Sequence, residues 1–242
     1  MCTVTYIPNK EYFYLTSNRD EKNWRTDALA PAVYEFGSGK IMFPKDGDAG
    51  GSWIAAHENG NIVIFLNGGL NAHTPSPPYR KSRGLILLDL LDHTTPYNCF
   101  LVINLNSIEP FTAIIRDNGH LFECRWDGSN KHHKELDRNV PHIWSSVTLY
   151  SEETISKRKK WFEDWMTKNK TVSQSDIIHF HQFTGDGDTN NDLRMNRDGK
   201  VFTVSITSME IGNNGIKMDY IDLKNEQHFS GQMIFDSSIA GR

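Results

Sequence analysis

Short segments of alternating apolar and polar residues recur in pairs along this chain, each pair joined by a turn signal, and that arrangement calls for antiparallel sheet. Ser52–His57 and Asn61–Leu66 flank Glu58-Asn59-Gly60, while Thr112–Arg116 and His120–Trp126 flank Asn118-Gly119. Asn-Gly suits the centre of a tight hairpin turn, where φ is positive and the turn's twist matches that of the strands. Cys2–Ile7 and Tyr12–Thr16 form a further pair across Pro8, Asn9 and Lys10. Val201–Ile206 and Met218–Leu223 bracket a loop containing Asn213-Asn214-Gly215.

Helical periodicity is confined to fewer places. Ser82–His93 is apolar around most of its circumference, which predicts cover on more than one side. Glu152–Lys168 opens with Ser151 as N-cap and carries Glu152 and Glu153 in its first turn, where the helix dipole favours acid. Its Ile155, Phe162, Trp165 and Met166 fall on one stripe, and Ser173–Phe183 is a third helical segment. Strands, then a helix pair, then strands again indicate an α+β protein rather than alternating βαβ units. No repeat or low-complexity linker divides the 242 residues, so one domain is expected.

Composition narrows the function classes. A formal net charge of −4 gives no basic excess for a nucleic-acid partner. The dense basic run Lys157–Lys160 is expected on the solvated face of a helix. Cys2, Cys99 and Cys124 form no C-x-x-C pair, so neither a zinc site nor a disulfide framework is signalled. No apolar run is long enough for a transmembrane segment, and MCTVTYIPNK lacks the apolar stretch of a secretory signal; a cytoplasmic protein is expected.

A cysteine at position two has special chemistry. Removal of Met1 would leave Cys2 with a free α-amino group, which titrates near pH ~7.7–8.0 and serves as a general base around neutrality. Thiol nucleophile and base would then share one residue, the arrangement that activates N-terminal nucleophiles. Taken alone, a residue-two cysteine is more often a small buried side chain.

The next segment changes that weighting. Residues 15–21 are LTSNRDE, and an initial MC followed by Asn18-Arg19-Asp20-Glu21 resembles the NRDE family, also called the transport and Golgi organisation family. Gly50-Gly51-Ser52-Trp53-Ile54 resembles the family's GG[TS]W segment, Leu66-Asn67 its strand-terminal Asn, and Ser82-Arg83-Gly84 its [SA]RG signature. The resemblance implies an N-terminal-nucleophile (Ntn) hydrolase scaffold of the penicillin-V-acylase and bile-salt-hydrolase type. That scaffold is a four-layer αββα sandwich of two mostly antiparallel sheets, with the N-terminal residue at a cleft between them.

On that scaffold the catalytic set expected here is Cys2, Arg19, Asp20 and Asn67. Arg19 would lower the thiol pKa, Asp20 would orient the α-amino group, and Asn67, with the amides of Gly68-Gly69, would donate to a developing oxyanion. An exposed turn at Arg19-Asp20 and a plain strand-ending turn at Asn67 are the bland alternatives. The chain departs from the acylase pattern in three places. Arg19 and Asp20 are adjacent rather than separated, Ser146 stands where a second oxyanion-hole Asn is expected, and Arg194 is the nearest match to a C-terminal arginine.

Two functions stay open. One is hydrolysis of a small linear or cyclic amide, which requires no cofactor. The other is a non-enzymatic carrier of haem or lipid on the same scaffold, with the Cys2 thiolate as a soft axial ligand. Two further constellations carry less. Asp186–Asp192 spaces oxygen ligands like a calcium loop, but Asn191 replaces the required Gly and Arg197 the final Glu, so an Asx-rich loop is expected. His132-His133 and His179-x-His181 lack a third ligand at metal-binding spacing.

Overall fold

The computed structural model describes residues 3–235. Each sheet has seven strands among the described residues. The first is ordered β10-β1-β2-β12-β13-β14, from His142–Ser145, Thr3–Pro8, Phe13–Lys22, Val201–Ile211, Gly215–Asp222 and Gln227–Ile234, with the two-residue β11 (Asn196–Arg197) beside β12. The second runs in chain order from β3 to β9: Leu29–Phe36, Gly39–Lys45, Ile54–His57, Ile62–Asn67, Phe111–Asp117, His120–Trp126 and Lys131–Leu136. Every pairing is antiparallel.

Three apolar layers hold four layers of structure together. Val4, Tyr6, Leu15, Met209 and Met218 of the first sheet meet Ile54, Ile62, Ile64 and Leu66 of the second. The outer face of the second sheet packs on α1 (Arg83–Leu91) and α2 (Pro96–Val102) through Phe65, Ala113, Leu87 and Phe100. The outer face of the first packs Ile7 and Tyr14 against Phe162 of α3 (Glu152–Lys168) and Phe180 of α4 (Gln174–Phe183). The result is the αββα sandwich. No helix among the described residues is long and apolar enough to cross a membrane.

The predicted hairpins and helices form, with informative differences. Ser151 and Ser173 cap α3 and α4 through their side chains. α1 lies on β5 and β6 with α2 beside it, which explains its encircling apolar surface. The segment α2 begins at Pro96, whose fixed φ suits a first helical turn, but at seven residues it is too short to announce itself by periodicity. Strand β2 continues to Lys22, well beyond the expected Thr16, so the Asn18–Glu21 tetrad lies within sheet rather than in a turn. The basic run divides as well. Lys159 and Lys160 are exposed, whereas Arg158 is completely buried beneath the first sheet.

Candidate functional site

Strand alternation sends the tetrad's side chains in opposite directions. Arg19 points between the sheets. Its Nη2 donates to Asp46 Oδ2 at 2.6 Å, and its guanidinium lies over the Trp53 ring at 4.6 Å from the centroid. Asp20 points toward the helices, where Tyr150 Oη donates to its Oδ2 at 2.5 Å and Thr203 Oγ1 to its Oδ1 at 2.6 Å. A register shift in β12 between Thr203 and Ser205 lets Thr203 stand opposite Asp20 and Ser205 opposite Arg19. Arg19 and Asp20 are 5% and 3% exposed, which rules out the exposed-turn alternative.

Cys2 lies outside the described residues. Its neighbour Thr3 is fully buried, pairs with Asn18 of β2 and Ser145 of β10, and accepts a hydrogen bond from Arg158 Nη1 at 2.5 Å. Asn18 is fixed in turn. Its Nδ2 donates to the carbonyls of His181 and Leu193, leaving its Oδ1 to accept from His181 Nδ1 at 2.6 Å. His181 is therefore the Nδ1–H tautomer, with Nε2 accepting from Thr5 Oγ1 at 2.8 Å. Burial, then the nearby Arg158 charge, push its pKa down to about 3. The histidine is a neutral structural bolt behind the N-terminal strand.

Beyond the strand ends lies a cavity of about 440 Å³. Arg19 and Asn67 both line it, together with residues from each remaining motif: Gly51-Ser52-Trp53 and Ser82-Arg83-Gly84. The two glycine motifs meet directly. Ser52 N–H donates to the Gly84 carbonyl at 3.1 Å, and a methyl group on Gly51 would fall 2.6 Å from the Leu85 nitrogen. Gly51 thus lets β5 approach the start of α1, which aims the helix N-terminus at the cavity.

Asn67 ends β6, and its carbonyl accepts from Ser146 Oγ at 2.8 Å. Its side-chain amide makes no hydrogen bond to a described residue. The Ser146 proton is thereby committed to holding Asn67, and Thr148 Oγ1 lies 2.9 Å from the same oxygen. Of the glycine amides expected to join Asn67, that of Gly68 donates instead to the Pro110 carbonyl at 3.1 Å. Asp20 does not line the cavity, and neither does the exposed Arg194.

The cavity's other charges carry no motif. Asp46 accepts from Arg25 Nη2 at 2.8 Å as well as from Arg19. Burial alone would raise its pKa, but the Ala49 backbone N–H and the two guanidiniums outweigh it and hold the carboxyl below the usual range. Arg83 pairs with Glu109 at 3.0 Å, and burial lowers its pKa against that partner's pull. Asp46 follows a strand and precedes Gly47, so in sequence it is an ordinary turn aspartate; its two arginine partners come from a strand and a loop more than twenty positions away. No cluster of three or more His, Cys, Asp or Glu side chains among the described residues could hold a metal ion. In the 186–192 loop the carboxylates bond their own backbone: Asp186 Oδ1 accepts from Asp188 N, and Asp188 Oδ1 from Asn190 N.

The sequence pattern described as Transport and Golgi organisation 2 matches residues 1–213. The chain belongs to that family. No curated protein matches it significantly. Similar solved structures include a mutant and a variant of conjugated bile acid hydrolase from Clostridium perfringens, each with TM-score 0.62 and 12% identity over 96% of this chain and 92% of that one. The Caenorhabditis elegans ortholog of N-acylethanolamine-hydrolyzing acid amidase aligns with TM-score 0.59 and 10% identity, covering 86% and 92%. These likenesses establish an Ntn-hydrolase fold for this member of the Transport and Golgi organisation 2 family. Its four sequence motifs converge on one cavity at the sheet ends.

Proposed function

We propose that this protein is an N-terminal-cysteine amidohydrolase acting on a small amide in the cavity bounded by Arg19 and Asn67. The observation that carries the reading is the meeting of these two side chains in one cavity, at the end of the sheet where β1 begins. Val4 and Tyr6 of β1 face the second sheet, as Arg19 does. In the proposal the residue preceding Thr3, Cys2, supplies the nucleophile.

In this mechanism the α-amino group takes the thiol proton while sulfur attacks the substrate carbonyl. The tetrahedral oxyanion receives a hydrogen bond from the Asn67 amide, which has no competing partner among the described residues. Collapse breaks the C–N bond, the ammonium proton passes to the leaving amine, and water hydrolyses the thioester to release the acid and regenerate the thiol. Arg19 shares its charge with Asp46 but keeps further N–H donors for a thiolate or carbonyl. Asp20 acts from behind β2 as a positioning residue, held by Tyr150 and Thr203.

Intact mass and thiol labelling at about pH 7–8, followed by an amide-hydrolysis screen, test the reading. Cys99 and Cys124 are buried, and burial pushes both thiols up, so one fast alkylation, on Cys2, is expected. Cys2→Ala is expected to abolish amine release. Retention of Met1 in active protein, or undiminished turnover by Cys2→Ala, would remove the mechanism.

A further inference from the structure

Small-molecule pockets are mostly apolar, with a few polar groups setting orientation. The cavity at the sheet ends departs from that pattern. Four cations contribute to its wall, Arg19, Arg25, Lys81 and Arg83, against three carboxylates, Glu21, Asp46 and Glu109. Its aromatic surface is limited to Trp53, Phe65 and Tyr79.

The two signs of charge are not equally available. Asp46 already accepts from Arg19 and Arg25, and its Oδ1 also takes the Ala49 N–H at 2.8 Å. Glu109 is engaged by Arg83 at 3.0 Å and by His73 at 3.3 Å. Each guanidinium, by contrast, carries five N–H donors. Arg19 uses Nη2 on Asp46, and Arg83 uses Nη1 on the Pro110 carbonyl and Nη2 on Glu109, so each keeps N–H groups to spare, whereas Arg25 is tied to Asp46 at 2.8 Å and to Asp48 at 3.2 Å. Glu21 Oε2 lies 3.8 Å from both Arg19 and Arg25, so all three carboxylates are ion-paired and the spare capacity of the wall is chiefly donor capacity. The start of α1 adds to it, because Ser82, Arg83 and Gly84 bring a helix N-terminus, with its partial positive charge, to the same cavity.

An acyl chain or steroid placed here would strip these groups of water and offer no acceptors in return, at a cost for each desolvated polar group. From this we infer that the cleft selects a small amide bearing a carboxylate, rather than a long-chain or lipid amide. The inference rests on the reading of this cleft as an amide-hydrolysing site and names the substrate class for it. The carboxylate is received by Arg83 and the first turn of α1, with Lys81, whose ammonium is paired with Asp89 at 2.6 Å, beside them. The amide group points toward Arg19 and Asn67. The volume of about 440 Å³ accommodates a ligand at the small end of the usual range of roughly 300–1,000 Å³.

Full-length Cys2→Ala allows binding to be measured without turnover. Three probes separate charge from size by titration calorimetry: N-benzoylglycine (small and anionic), N-benzoylethanolamine (small and neutral) and N-palmitoylglycine (anionic and long). N-Benzoylglycine is expected to bind about tenfold tighter than either of the others, and to weaken as salt rises. In the same background Arg83→Gln is expected to cost about 10- to 100-fold in its affinity, the scale of a hydrogen bond to a charged group. Because Arg83 is paired with Glu109, Lys81→Met, which breaks the Lys81–Asp89 pair and leaves Arg83–Glu109 intact, serves as a second variant.

Equal affinity for the neutral probe, tighter binding of the palmitoyl probe, no binding of N-benzoylglycine, or indifference to both substitutions would each overturn the inference. Hydrolysis of N-benzoylglycine by the unsubstituted protein is scored alongside. Carboxylate-selective binding without turnover supports the selectivity of the cleft and removes the hydrolase reading, so the two failures are told apart.

Discussion

Arg158 offers the most stringent test of how the N-terminal strand is held. It is 0% exposed, and all its partners are neutral. Nε and Nη2 donate to the Asn191 carbonyl at 3.2 and 3.1 Å, Nη2 donates to the Asp192 carbonyl at 2.7 Å, and Nη1 donates to Thr3 Oγ1 at 2.5 Å. The guanidinium carbon sits 3.7 Å from the centre of the Tyr150 ring, whose hydroxyl holds Asp20. One side chain thus ties α3, the 188–192 loop, β1 and the support of Asp20 together.

Replacing Arg158 with Met keeps an unbranched apolar stem and removes every donor. Two buried carbonyls and a hydroxyl lose a partner, each worth about 1–3 kcal/mol, and a desolvated cation–π contact of about 2 kcal/mol disappears. The penalty for burying the charge disappears too, and it is several kcal/mol. The balance expected is a loss of about 3–5 kcal/mol, the range seen when a buried charge network is broken. Urea unfolding at pH 7 measures it, with Thr3→Val and the double variant completing a cycle. A coupling of about 1–3 kcal/mol between the two positions is expected. A loss below about 1 kcal/mol, or zero coupling, would mean the guanidinium is only tolerated at this position and does not fix β1.

Three other outcomes follow from the same structure. His181 has a folded pKa of about 3 against roughly 6.5 when unfolded, so the unfolded chain binds an extra proton between those values. Stability is therefore lost as pH falls through that window, by about 1.4 kcal/mol per pH unit from this group, and urea midpoints between pH 6.5 and pH 4 should show a shallower slope in His181→Gln. Gly51→Ala drives a methyl group against the start of α1, where the backbone cannot yield, and should cost about 1–3 kcal/mol in thermal or urea unfolding; an unchanged midpoint contradicts the close approach. Asp46→Asn leaves Arg19 and Arg25 without their shared carboxylate and should cost about 2–3 kcal/mol, less than a fully buried pair because Arg25 is partly solvated. An Asp46→Asn protein as stable as the parent would show that the two guanidiniums do not depend on it.

Local chemistry made much of this protein legible before folding. The Asn-Gly turns located hairpins at Glu58–Gly60 and Asn118–Gly119, because a positive-φ turn is a property of two residues. Ser151 located a helix start for the same reason: a cap acts on the amides immediately following it. The motifs around Arg19, Trp53, Asn67 and Arg83 pointed to the scaffold. What they could not show is which way each side chain faces. Strand β2 runs six residues beyond its expected end, and that extension turned an apparent loop tetrad into buried sheet with Arg19 and Asp20 on opposite faces.

Tertiary structure alone decided the rest. Arg158, one of four consecutive basic residues, is buried because the 188–192 loop offers it carbonyls and Tyr150 an aromatic face. Neither is near it in sequence. Asp46 becomes a two-arginine anchor, and Ser146 a brace for Asn67, only when the sheets stack. Turns and caps are settled by interactions spanning a few residues, whereas the charge and donor balance of the cavity is summed over segments from Arg19 to Glu109 that meet only in the folded chain.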